Sequence, residues 1–142
     1  MKIVDTNVLL YAVDEHADRH AVARAWLVEA LEGSETIGFT WSAVLGFLRL
    51  ATHPAVASRP LTVEEATGVI EGWIARPSAA IIEPAAGHVD MLRRLLAPIG
   101  TAGNLVNDAH LAAIAIEYAA EVVSFDTDFG RFPGVRWHRP GQ

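Results

Sequence analysis

Short apolar runs alternate along the chain with longer segments of helical periodicity, and turn-forming residues separate them. Lys2-Ile3-Val4 reads as a first strand, closed by Asp5-Thr6-Asn7, residue types that favour turns and helix caps. Val8 to Val13 then reads as one or two helical turns. Asp18 is placed to cap a helix running to about Glu32, in which Ala21, Ala25, Trp26 and Leu27 form an apolar stripe. Gly33-Ser34 breaks it. Thr36 to Trp41, rich in β-branched and aromatic residues, predicts a second strand. Ser42 is expected to cap a third helix that runs to about Thr52 and stops at His53-Pro54.

A loop leads to Pro60, and Thr62-Val63-Glu64-Glu65 follows as a capping box, with Thr at the cap and Glu three residues on. That helix ends near Arg76-Pro77. Ala80 to Glu83 predicts a third strand, Gly87 to Ile99 a helix, and Gly100 to Gly103 a turn. Asn107 is expected to cap a helix from Asp108 to about Ala120, apolar nearly all round and hence buried. Glu121 to Phe125 reads as a fourth strand, Phe129 to Phe132 as a short turn, and Val135 to His138 as a fifth strand. Helices alternating with short apolar strands imply an α/β fold in three layers, α/β/α, around a parallel sheet of about five strands. No repeat, linker or low-complexity tract divides residues 1–142, so a single domain is expected.

Composition narrows the choice. Hydrophobic residues make up 51% and charged residues 20%, enough for one core and unlike a disordered tail. No apolar run approaches the ~20 residues of a membrane helix. Met1-Lys2-Ile3-Val4-Asp5 does not read as a signal peptide, so a cytoplasmic location without membrane contact is expected. The chain has no cysteine, which excludes disulfides and thiolate metal sites. A net charge of −6 argues against a nucleic-acid binder, unless the acids serve a metal. Lys2 is the single lysine; the other cations are arginines, whose forks suit phosphate, and Arg93, Arg94, Arg131, Arg136 and Arg139 lie in the second half.

The acids stand where such a site would form. Asp5 follows the first strand, and Asp126 and Asp128 follow the fourth. In open parallel sheets, ligands bind beyond the carboxyl ends of the strands where the strand order reverses. If strands one and four are neighbours, Asp5 and Asp126 meet there, and Asp108 reaches the same edge from the buried helix. Converging carboxylates repel one another unless a cation joins them. A hard divalent ion, Mg2+ or Mn2+, takes such oxygens and supports phosphodiester chemistry. Each acid also has a structural explanation alone: a cap for Asp5, the helix dipole for Asp108, a turn for Asp126 and Asp128. Thr6 and Asn7 either steady Asp5 by hydrogen bonds or simply cap the following helix.

Other residues carry less. His16 and His20 have a spacing that can bind zinc, but Ala17 stands where a metalloprotease has Glu. His110 points away from Asp108 on a helix. Trp26, Trp41, Trp73 and Trp137 could stack on bases, with Trp26 and Trp73 better placed for core or dimer packing. A haloacid-dehalogenase-type phosphatase needs Asp-x-Asp after strand one, and residue 7 is Asn; a receiver domain needs an Asp after strand three, and Ala80 to Ala86 has none.

Three segments together resemble the PIN-domain family. They are Val4-Asp5-Thr6-Asn7-Val8-Leu9-Leu10, the Asp-led helix Asn107-Asp108-Ala109-His110-Leu111-Ala112-Ala113-Ile114-Ala115, and the Asp-x-Asp-Phe turn within Val122 to Phe132. The resemblance spans the chain, and the last motif is the most specific. It implies a PIN-like fold and a Mg2+- or Mn2+-dependent endoribonuclease, with Asp5, Asp108 and Asp126 as metal ligands aided by Asp128. Arg49 and Arg131 would steady the RNA. Chain size and Phe47-Leu48-Arg49-Leu50-Ala51-Thr52-His53-Pro54 are similar to the VapC toxins. That implies a VapB-type antitoxin partner, a homodimer, and tRNA, rRNA or mRNA as substrate. One position departs. The family commonly has Glu about three residues before the arginine found at Arg49, where this chain has Gly46, and Ala43 to Thr52 carries no carboxylate. Three outcomes stay open: Asp128 and water completing the site, weaker metal binding with Mn2+ preferred, or an inactive PIN scaffold that binds RNA or a partner protein.

Overall fold

The computed structural model describes residues Met1–Gln142. Its sheet has five parallel strands: β1 (Lys2–Val4), β2 (Ile37–Phe39), β3 (Ala79–Ile81), β4 (Glu121–Val123) and β5 (Trp137–His138), in the order β3-β2-β1-β4-β5. Six helices connect them: α1 (Thr6–Val13), α2 (His20–Glu32), α3 (Trp41–Ala51), α4 (Val63–Ile74), α5 (His88–Leu96) and α6 (Val106–Glu117). The three-layer α/β fold expected from the alternating pattern is the one observed.

Strand pleating divides the core in two. Val4 and Val123 face the first four helices, where they join Val8, Leu27, Phe39, Phe47 and Ile70. Ile3 and Val122, one residue earlier in each strand, face the other way, onto Leu95, Ile114 and Phe129. Trp73 packs into the first layer, stacked on Phe39 at 6.3 Å and edge-on to Phe47 at 4.9 Å, so it is a core residue. The expected burial of α6 also holds, with Ala109 and Leu111 through Ala115 all covered. The connection from β3 to β4 jumps past β2 and β1, and so α5 and α6 lie on the opposite face from α1 to α4.

Several boundaries differ from the sequence expectations, for local hydrogen-bonding reasons. The second strand stops at Phe39 because Thr40 turns the chain: its hydroxyl accepts from the Ala43 N–H at 3.2 Å, and it caps α3 in place of Ser42. Asp18 is not a cap. Helix α2 starts at His20 after Arg19, which makes no side-chain cap bond; the His20 ring Nδ1 instead meets the Tyr11 carbonyl at 2.8 Å. His16 lies in the turn before α2, so the pair does not share a helix face. Asn107 lies inside α6, which continues a 3-10 turn at Gly103–Leu105 and has no side-chain cap. The helix expected to reach Ile99 tightens to 3-10 after Leu96. The capping box at Thr62 and Glu65 forms as expected, with reciprocal bonds of 3.1 Å.

Candidate metal centre

The pairing of Val4 with Val123 carries both chains past the sheet edge together, so Asp5 emerges beside Ser124. Strand order reverses between β1 and β4, which opens a crevice at their carboxyl ends. The Asp5 N–H donates to the Val123 carbonyl at 3.0 Å, fixing the exit. Both oxygens of Asp5 are engaged. Oδ1 accepts from the Thr6 backbone N–H at 2.7 Å, and Oδ2 accepts from Asn7 Nδ2 at 3.0 Å and the Ser124 hydroxyl at 2.6 Å.

Ser124 is fully buried and joins the two acidic segments. Its Oγ donates to Asp5 while accepting from Asn7 Nδ2 at 3.0 Å and the Asp126 N–H at 2.9 Å. Sequence reasoning passed over this residue. The available signal was a polar side chain interrupting the apolar run Val122-Val123 just before an acid-bearing turn. Asp126 then caps the 3-10 helix Thr127–Arg131, accepting from the Asp128 N–H at 2.8 Å. Asp108 enters from the first turn of α6.

One carboxylate oxygen each from Asp108, Asp126 and Asp128 lies within 4.8 Å of the others. Asp5 is outside this trio but lines the same cavity, of about 560 Å³, with Thr6, Asn7, Asp108, Asp126 and Arg49. The electrostatics record the crowding. Burial, then Asp126, Asp5 and Asp128, push the Asp108 carboxyl up to about 7. Burial also raises Asp5, against the lowering pull of the Ser124 and Thr6 hydrogen bonds. Asp128 has one nearby cation, Arg131 at 3.7 Å. An oxygen-only donor set with excess negative charge fits a hard divalent cation. Asp108, Asp126 and Asp128 are the residues closest to holding it.

Two expected details take a different form. Thr6 meets Asp5 through its backbone; its hydroxyl donates to the Ala43 carbonyl of α3 at 3.2 Å. Position 46 faces that same side chain. A Cβ added to Gly46 would lie 2.8 Å from Thr6 Oγ1 and 3.1 Å from its methyl group. Helices α1 and α3 therefore touch where the family commonly places Glu, and Thr6 fills the volume. His110 is engaged elsewhere: its Nδ1 is 2.8 Å from Nε2 of His88, whose Nδ1 is 2.7 Å from Glu117.

The chain is similar to known proteins in sequence and in fold. A family model described as the PIN domain matches residues 2–135. The chain is 51% identical over 140 residues to "Ribonuclease VapC37" of Mycobacterium tuberculosis, covering 99% of this chain and 97% of that protein. It is 40% identical to "Ribonuclease VapC33" of the same species, covering 99% and 98%. The fold is similar to VapBC2 from Rickettsia felis, solved bound to a promoter DNA fragment (TM-score 0.68, 21% identity, 97% of both chains). It is also similar to Mycobacterium tuberculosis VapC20, described as a Sarcin-Ricin loop cleaving toxin (TM-score 0.66, 14% identity, 96% and 99% covered). Strand order, acidic edge and sequence relatives agree: the chain belongs to the PIN domain family and, within it, to the VapC proteins.

Proposed function

We propose that this chain is the toxin of a VapBC-type toxin–antitoxin pair, an endoribonuclease that cleaves RNA phosphodiester bonds at its acidic cavity with Mg2+ or Mn2+. The observation that carries the reading is the convergence of Asp108, Asp126 and Asp128 at the β1/β4 edge, with Asp5 beside them. Relatives at 51% and 40% identity that are named ribonucleases support it.

Asp108, Asp126 and Asp128 would hold the cation, and Asp5 would complete the acidic wall. When bound, a divalent cation offsets charge on the phosphate and activates water for in-line attack. The residues of the chain do the rest. Asn7 and Ser124 hold one Asp5 oxygen in a single orientation. Burial and the neighbouring acids raise the Asp108 carboxyl to about 7, and a bound cation would favour its ionised form. Arg49, on the cavity wall, and Arg131, beside Asp128, would meet backbone phosphates.

A small VapB-type antitoxin is the partner this reading requires, and VapBC assemblies among the structural relatives support it. The substrate class is tRNA, rRNA or mRNA, the working unit a homodimer, and the location cytoplasmic; no helix is long and apolar enough to cross a membrane. The deciding experiment is cleavage of folded total RNA with Mg2+ and then Mn2+, wild type beside Asp108→Asn, with EDTA as the blank. Discrete metal-dependent cuts that vanish in the variant are expected. The closed space at Gly46 favours one second reading, a scaffold that binds RNA or a partner without cutting. Mn2+ binding with no cleavage across a broad RNA panel would select it.

A further inference from the structure

Beside the acidic cavity stands a stack of side chains that the cleavage chemistry does not use. Tyr11, on the last turns of α1, lines the cavity. Its ring lies 5.5 Å from that of Phe125, tilted by 48°. The guanidinium carbon of Arg19 sits 4.9 Å from the centre of the Phe125 ring. Phe125 directly precedes Asp126, and its N–H donates to Asn7 Oδ1 at 3.1 Å, so the residue that orients Asp5 also anchors this stack. The other end is fixed by the His20 ring at the Tyr11 carbonyl, which holds the start of α2 against α1.

Arg19 is exposed and forms no ion pair with any carboxylate. Its charge thus remains free over Phe125, whose ring packs on the cavity-lining Tyr11, on a chain whose net charge of −6 repels phosphate. An arginine held over an aromatic ring still offers N–H donors to an anion, and its guanidinium can carry a further planar group. A planar π-face joined to an anion is the chemistry of a nucleotide, and single-stranded RNA offers its bases unstacked.

We infer that Tyr11, Phe125 and Arg19 form a stacking subsite that receives one nucleotide of single-stranded RNA beside the scissile phosphodiester. The subsite rests on the ribonuclease reading above. It adds to that reading a wall that grips the base, where the carboxylates act only on the phosphodiester. The base lies on the Arg19 guanidinium or the Tyr11 ring, and the Arg19 edge meets the adjoining phosphate.

The test compares the wild type, Arg19→Ala and Arg19→Lys, substitutions at an exposed side chain that leave the core untouched. The probe is a short oligoribonucleotide spanning a mapped cut, with versions made abasic at either nucleotide flanking it. Removing Arg19 is expected to raise KM about tenfold and leave kcat within about twofold. Lysine restores part of the loss, through charge without stacking. One abasic version should cost the wild type about tenfold in KM and cost Arg19→Ala little, because the partner of that base is already gone. Equal KM for wild type and Arg19→Ala, or an abasic penalty that is the same in both, overturns the subsite. The same oligonucleotides are followed by fluorescence anisotropy in EDTA, which separates the two readings. Binding that weakens in Arg19→Ala without any cleavage by the wild type keeps the subsite and rejects the nuclease. No binding by the wild type rejects the subsite outright.

Discussion

Helix α6 contributes to two polar clusters on different faces, and they are balanced in opposite ways. On one, Glu117 meets the His88 ring at 2.7 Å and accepts from the Ala85 N–H at 3.0 Å, while His88 reaches His110 at 2.8 Å. One carboxylate faces two imidazoles, each polar atom at the contact has a partner, and the cluster ties α5 to α6. The Glu117 side chain is only 8% exposed, yet both of its oxygens have a partner. On the other face, Asp108 meets Asp126 and Asp128, and the nearest cation is Arg131, 3.7 Å from Asp128. A cluster that closes on itself needs no ligand. One that stores repulsion is stable only at a cost, and that cost falls when a cation enters.

Asp126→Asn should break the difference most completely: RNA cleavage falls to the limit of detection, measured beside wild type at saturating Mn2+, while the fold survives by circular dichroism. Ser124→Ala comes next. It removes the hydroxyl that serves both Asp5 and Asp126, and losses of about 10–100-fold in metal affinity or cleavage are expected from an orienting group of this kind. His88→Ala on the balanced side should reverse the pattern. It leaves Glu117 and His110 without their partner, costing about 1–3 kcal/mol in chemical denaturation, with cleavage within about twofold of wild type.

The smallest effect sharpens the comparison through pH. The Asp108 carboxyl sits near 7 in the folded, cation-free protein, above its ordinary 3.8. Between these values the folded state holds a proton that the unfolded state has lost, so stability falls as pH rises from about 4 to about 7. The metal-free melting temperature of the wild type should drop relative to Asp108→Asn across that window. A difference between them that does not change with pH would show that Asp108 is not strained by its neighbours. Added Mn2+ should restore the wild type above pH 7 and do little below it.

Much of this arrangement was legible in the chain because it rests on local rules. Apolar runs and turn residues mark every strand, and the acids follow strands one and four directly. What escaped depends on partners far apart in sequence. Ser124 acquires its role from Asp5, 119 residues away. Arg19 carried no signal of its own in the chain, because Phe125 comes beneath it only after the sheet assembles. The cap of α3 slipped from Ser42 to Thr40 because Ser and Thr are near-equivalent caps, whereas α2 and α6 start after Arg19 and Leu105 with no side-chain cap at all. Gly46 was legible as an absence, but its cause, the Thr6 side chain against α3, required the fold.

That contact constrains the order in which substitutions can accumulate. With Thr6 in place, a Cβ at position 46 meets its hydroxyl at 2.8 Å and its methyl group at 3.1 Å, so a side chain there enters only if Thr6 shifts. A single Gly46→Glu step therefore leads through a damaged intermediate, costing about 1–3 kcal/mol as an overpacked core position. A fifth acid on this wall, placed at position 46, is accommodated more cheaply once the Thr6 side chain is trimmed. Positions 6 and 46 are therefore coupled: what can stand at one depends on the volume held at the other.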